Sequence, residues 1–185
     1  MPIEAYKPLG LVSVVVFWSA IILLLRGWKV NRGMSISRHV SASKLTYVLA
    51  AIVESILVPL FILFFVKWFA PTFHLPVLFS ILVTFSMLGF LVAAWVPDTK
   101  GSKSFVHGFS AYLAGILLIP ATAFVCASEY ISPTARAVSY TTLFYEIVSL
   151  SLFFSTRKAQ SYHLYLQSIY LILFDIAILI TAYVR

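Results

Sequence analysis

Six apolar segments recur along almost the whole chain, each about 20 residues long, enough for a helix to cross a ~30 Å hydrocarbon core. They are predicted at residues 9–25, 45–69, 75–96, 105–127, 137–154 and 162–184. The connections between them are short, which favours sequential antiparallel neighbours in an up-down bundle. The expected fold is therefore all-α and polytopic: one transmembrane domain over residues 1–185, with six transmembrane helices.

Composition leaves little room for anything else. Of the 185 residues, 62% are hydrophobic and only 10% are charged, whereas a soluble domain of this size needs far more charge to cover its surface. The longest polar stretch, residues 26–44, has the length of a loop. The net charge of +7 reads as loop charge that fixes topology. No basic run interleaved with aromatics occurs in a polar segment, so nucleic acid is not an expected partner. Cys126 is the only cysteine, which forbids an intrachain disulfide and a cysteine-based metal site. No cofactor is expected. The first span lacks a small-x-small cleavage pattern and is followed at once by Arg26, Lys29 and Arg32, so it reads as a retained helix.

Orientation follows from the basic residues. Nine of them (Arg26, Lys29, Arg32, Arg38, Lys44, Lys100, Lys103, Arg157 and Lys158) fall in the loops after spans one, three and five. Four (Lys7, Lys67, Arg136 and Arg185) fall on the other side. The positive-inside rule then predicts cytoplasmic loops after spans one, three and five, with both termini outside. Trp28, Trp68 and Trp95 lie near span ends, as an aromatic belt requires. Pro71, Pro76 and Pro133 fall in connections, where proline is expected to end helices. Pro59 and Pro120 lie inside spans, where a kink is tolerated.

Three carboxylates interrupt the spans with no basic residue beside them: Glu54, Glu146 and Asp175. An acid in hydrocarbon costs roughly 2.5–3.5 kcal/mol on insertion scales, so it usually faces a bundle interior or a wet cavity. At 1.5 Å per residue each lies roughly 14 Å from one end of its span, so the three could share a layer near the midplane. Ser139, Thr142, Glu146 and Ser149 line one face of span five. Tyr47 shares a face with Glu54, and Ser168 shares one with Asp175. Ser80 and Thr84 do the same on span three. These stripes make Glu54, Glu146, Asp175, Tyr47, Thr142 and Ser168 candidate ligand-binding residues. Serine and threonine stripes also suit hydrogen-bonded helix packing.

A second cluster lies where span three meets span four. Asp98 closes one helix and His107 opens the next, and an Asp–His contact there could orient an imidazole for acid–base work. The same pair could simply stabilise an interfacial turn. Lys100 and Lys103 are candidates for an anionic headgroup. His39, His74 and His163 have no partner at ligand spacing, and no metal site is expected. Ala111 and Gly115, four apart on span four, form a small-xxx-small face that permits close helix approach. There is no phosphate loop, no GxSxG elbow and no HExxH helix.

The stretch Ser86-Met87-Leu88-Gly89-Phe90, followed by Val96-Pro97-Asp98, a polar turn and His107-Gly108, resembles an uncharacterised prokaryotic six-span membrane family. That family is similar to the eukaryotic damage-regulated autophagy modulators and GPI-anchor-maturation factors. The resemblance covers about a quarter of the chain and carries Pro97, Asp98 and His107 as motif positions. It implies a role near lipids, and gives no mechanism.

These observations point first to a membrane protein that binds or handles a lipid or another amphipathic small molecule in an intramembrane polar cavity. A proton- or cation-coupled permease, or a substrate-binding subunit of a larger transporter, is the main alternative. A hydrolase or transferase using His107 and Asp98 is a third; against it, the sequence shows no nucleophile or metal set. A structural subunit whose polar seam only packs helices is a fourth. Membrane lipids and a small-molecule ligand are the expected partners, and the small-residue face leaves room for a homo-oligomer.

Overall fold

A computed structural model describes residues 2–26, 31–97 and 102–184. Among them run nine α-helices: α1 (Lys7–Leu25), α2 (Ile36–Val40), α3 (Lys44–Phe64), α4 (Ala70–Thr72), α5 (Val77–Trp95), α6 (Ser102–Ala127), α7 (Pro133–Ser155), α8 (Arg157–Gln160) and α9 (His163–Tyr183). A 3-10 turn at Ile3–Tyr6 leads into α1, and a π-helical turn at Phe65–Phe69 joins α3 to α4. Six segments are long and apolar enough to cross a membrane: Ile3–Leu25, Lys44–Thr72, Val77–Trp95, Ser102–Ala127, Pro133–Ser155 and His163–Tyr183. The chain is an all-α, six-span membrane protein. Asp98, Lys100 and Trp28 lie outside the described residues.

The spans match the apolar windows, and the differences at their ends have local causes. Pro133 opens α7 rather than ending a helix. It sits at the first helical position, where its missing N–H costs nothing, and the Ser132 hydroxyl caps the turn by accepting from Ala135 N–H at 3.3 Å. This places the start of span five four residues before the predicted 137. Pro71 likewise lies within α4 instead of ending it. Pro76 precedes α5 in extended conformation, as a helix-stopping residue should. Pro59 and Pro120 are carried inside α3 and α6. His74, between α4 and α5, adopts a positive φ of 51° and stacks on Tyr130 at 4.1 Å.

Each span packs on the next in sequence: α1 on α3, α3 on α5, α5 on α6, α6 on α7 and α7 on α9. A contact between α9 and α1 closes the ring. The closest approach is between α5 and α6. A Cβ at Gly89 would sit 2.9 Å from the Ser110 carbonyl oxygen and 3.0 Å from Ala114 Cβ, so only glycine fits there. The Ser86 hydroxyl reinforces the seam by donating to the Ala114 carbonyl at 2.9 Å. The small-xxx-small face formed by Ala111 and Gly115 does not serve this purpose. A Cβ at Gly115 would meet nothing within 4 Å, because that face borders a cavity.

The two ends of the bundle differ. The end carrying both termini is filled by Phe64, Phe65, Trp68, Phe69, Phe73 and Phe79, all buried and in ring–ring contact. Tyr183 donates from its hydroxyl to the Lys7 carbonyl at 2.8 Å, tying the last span to the first. The other end gathers the connections after spans one, three and five, and is called the loop end below. There the first connection folds inward. Its α2 is capped by Ser35, which accepts from Arg38 N–H at 3.1 Å. It is pinned to α9 by Ile36 N–H to Gln167 Oε1 at 2.9 Å and by Leu164 N–H to Arg32 O at 3.0 Å.

Candidate functional site

The loop end holds a cavity of about 330 Å³, within the size range of small-molecule sites. Five elements wall it: α2, α5 through Phe90, the first half of α6, the last turns of α7 and the first turns of α9. Its polar lining is Ser35, Ser37, Arg38, Ser104, His107, His163 and Gln167. Its apolar and aromatic lining is Phe90, Leu150, Phe153, Tyr170 and Leu171. The floor is set by a bond between two spans, Tyr170 Oη donating to Gly115 O at 2.6 Å. Above that bond Gly108, Ala111 and Gly115 present little side chain, and this is why the space stays open.

His107 is 4% exposed and is held on both ring nitrogens. Nδ1 lies 2.9 Å from Ala93 O and 2.7 Å from Val96 O, two carbonyls at the C-terminal turn of α5. Carbonyls only accept, so Nδ1 carries the proton. In the neutral imidazole Nε2 is then an acceptor, and it lies 2.8 Å from Ser37 Oγ. Ser37 therefore donates to His107. Ser35 Oγ is 2.9 Å from Ser37 Oγ and, by the same logic, donates to it. His39 has a different task. Its Nδ1 donates to Ser35 O at 2.9 Å and its Nε2 accepts from Asn31 N–H at 3.0 Å, which shapes the loop that presents Ser37.

Two of the three intramembrane acids come together. Glu54 and Asp175 both line a narrow cavity of about 60 Å³ with Phe17, Leu118 and Phe174. Asp175 accepts from Trp18 Nε1 at 2.8 Å. Glu54 also lines a second narrow cavity of about 90 Å³, shared with Tyr47, Ser37, His107 and Gln167. Tyr47 and Glu54 thus face one space, and the Tyr47 hydroxyl donates to Trp95 O. Glu146 lines neither cavity. It is 0% exposed between α6 and α7, where Oε1 accepts from Thr122 Oγ1 at 3.1 Å and Oε2 has no partner.

The other sequence candidates are placed as follows. Thr142 is buried and donates to Leu173 O at 3.1 Å, a bond between α7 and α9. Ser149 donates within its own helix to Glu146 O at 3.2 Å and also lines the large cavity. Ser168 is half-buried on α9. Lys103 is exposed beside a shallow depression with Tyr47, Trp95 and Pro97.

Sequence reasoning missed Ser37, Ser35, Arg38, Gln167 and Trp18. One signal was present for Trp18, the one tryptophan deep within a span, since a buried indole N–H needs an acceptor. The run Ser35-Ile36-Ser37-Arg38-His39 packs four polar residues into the longest loop, but nothing in it names His107 as its partner. A scan against protein-family models found no match for the chain, and searches of curated proteins and of solved structures found none.

Proposed function

We propose that the protein binds a lipid or another amphipathic small molecule in the loop-end cavity, with the polar head at Ser35, Ser37, Arg38 and His107 and the chain against Phe90, Leu150, Phe153 and Leu171. One observation carries this reading: a single cavity joins a polar cluster at Ser35, Ser37, Arg38, His107 and Gln167 to an apolar and aromatic wall. An amphipath satisfies both halves at once, whereas water alone leaves the aromatic wall unfavourably wet. Arg38 in the lining favours an anionic or phosphate-bearing head. The Pro97 and His107 region resembles an uncharacterised six-span family whose eukaryotic relatives are linked to lipids, which suits the same reading. The test is native mass spectrometry of the detergent-purified protein with lipid extraction, wild type beside Gly115→Leu. The expected result is a specific co-purifying amphipath, reduced at least tenfold when the leucine fills the cavity. Clean protein in both preparations overturns the proposal.

A second reading draws on Glu54, which borders both narrow cavities, one reaching His107 and the other reaching Asp175. A string of titratable side chains through the bundle is what a proton- or cation-coupled permease uses. It expects proton flux in proteoliposomes under a pH gradient, lost in Glu54→Gln. Flux that is absent, or unchanged in the variant, removes this reading.

A further inference from the structure

We infer that Ser37 and His107 form a nucleophile–base pair that cleaves an ester of the amphipath held in the loop-end cavity. The inference rests on the binding reading above and adds a chemical step to it. Three features of the pair distinguish it from a loop tether. The carbonyls of Ala93 and Val96 fix the imidazole in the tautomer whose Nε2 lone pair faces Ser37. The Ser37 Oγ to Nε2 distance of 2.8 Å is the reach a general base requires. Both side chains line the cavity together with Phe90, Leu150 and Phe153, so the hydroxyl faces the space that would hold a bound ester. The arrangement repeats the logic of a hydroxyl nucleophile, an imidazole and a third group that orients it, with two backbone carbonyls in the third role. These carbonyls also stabilise the imidazolium that forms when the proton arrives. Arg38 lines the same cavity and brings positive charge to a developing oxyanion or to a phosphate.

The step balances as follows. Ser37 Oγ attacks the ester carbonyl carbon while its proton passes to His107 Nε2. The bond from that carbon to the alcohol oxygen breaks, and Nε2 returns the proton to the departing alcohol. The acyl group remains on Ser37 as an ester. Water, the co-reactant, then attacks the acyl carbon and gives a proton to Nε2. The acyl–Oγ bond breaks, Oγ recovers that proton, and a carboxylic acid is released.

The test uses the full chain in detergent, with a decyl fluorophosphonate as covalent probe and p-nitrophenyl decanoate as ester. With the probe, an Oγ–P bond forms and fluoride leaves. The expected result is one phosphonyl group on the Ser37 peptide, none on that peptide in Ser37→Ala, and labelling slowed by about 10²–10⁴-fold in His107→Gln at a temperature where both proteins are folded. Wild type should also release p-nitrophenol, and Gly115→Leu should slow the decyl probe more than a methyl fluorophosphonate. Absence of label at Ser37, a labelling rate indifferent to His107→Gln, or no ester cleavage overturns the inference. Decylphosphonic acid, which cannot react, separates the two readings by native mass spectrometry. If it binds wild type and Ser37 stays unlabelled, the nucleophile is refuted and binding stands. If it does not bind, both fall. Site mapping in wild type decides the matter even where Ser37→Ala fails to fold.

Discussion

At the end carrying the termini, the buried rings of Phe64, Phe65, Trp68, Phe69, Phe73 and Phe79 pack between the helices, while at the loop end Gly108, Ala111 and Gly115 leave about 330 Å³ open. The same six helices run through both ends, and every one is apolar enough for hydrocarbon. The contrast therefore arises from side-chain volume and not from backbone architecture. Where large rings meet, dispersion contacts knit the helices together. Where small residues meet a gap, the helices are held apart and joined by single polar bonds such as Tyr170 to Gly115.

The sharpest way to break the comparison is to hollow the solid end. Phe65→Ala, at a fully buried ring, should cost about 3 kcal/mol or more. Chemical denaturation in detergent would read this, and decylphosphonic acid should still bind the folded fraction at the loop end. A smaller change overfills the same end. A Cβ at Gly10 would meet the Phe64 ring at 2.7 Å, so Gly10→Ala should cost about 1–3 kcal/mol in the same assay. Next comes a pair of glycines that tests the loop end directly. Gly89→Ala drives a methyl into the Ser110 carbonyl and should destabilise, whereas Gly115→Ala points into open space and should stabilise by up to about 1 kcal/mol through helix propensity. Equal effects from the two would mean the cavity is closed in solution. A smaller effect is expected of Trp18→Phe, which removes the bond to Asp175 and should cost about 0.6 kcal/mol, the mean for interhelical hydrogen bonds in a membrane. Asp175→Asn keeps an acceptor for Trp18 and should cost less still.

The six spans were legible because a 20-residue apolar window has few other uses. Depth was read from a fixed rise per residue for Glu54, Glu146 and Asp175, and the start of α7 at Pro133 moves Glu146 farther from the start of its span than the sequence count put it. Rotation was not legible. Whether an acid faces one neighbour or another depends on how each helix turns about its axis, and that is decided by contacts distant in sequence. So Glu54 and Asp175 share a cavity while Glu146 lies elsewhere with Thr122. The small-residue pattern at Ala111 and Gly115 was misleading for a related reason: spacing shows that a face is small, and cannot show whether a helix or a void lies opposite. Gly89, isolated in the sequence, carries the close approach instead. Ser37 was invisible as a partner of His107 because 70 residues and two connections separate them.

The bonds from Ile36 to Gln167 and from Leu164 to Arg32 tie the first connection to the last span. Synthesis runs from the N-terminus, so the loop that presents Ser37 emerges early and waits for almost the whole chain before its anchors exist. The rings from Phe64 to Phe79 need only spans two and three to find most of one another. Both ends nonetheless need the last span: the aromatic end for Phe174 against Phe65 and for Tyr183, and the cavity for Gln167 and Tyr170. A ribosome stalled before residue 163 would leave a chain with its first rings paired and neither end complete.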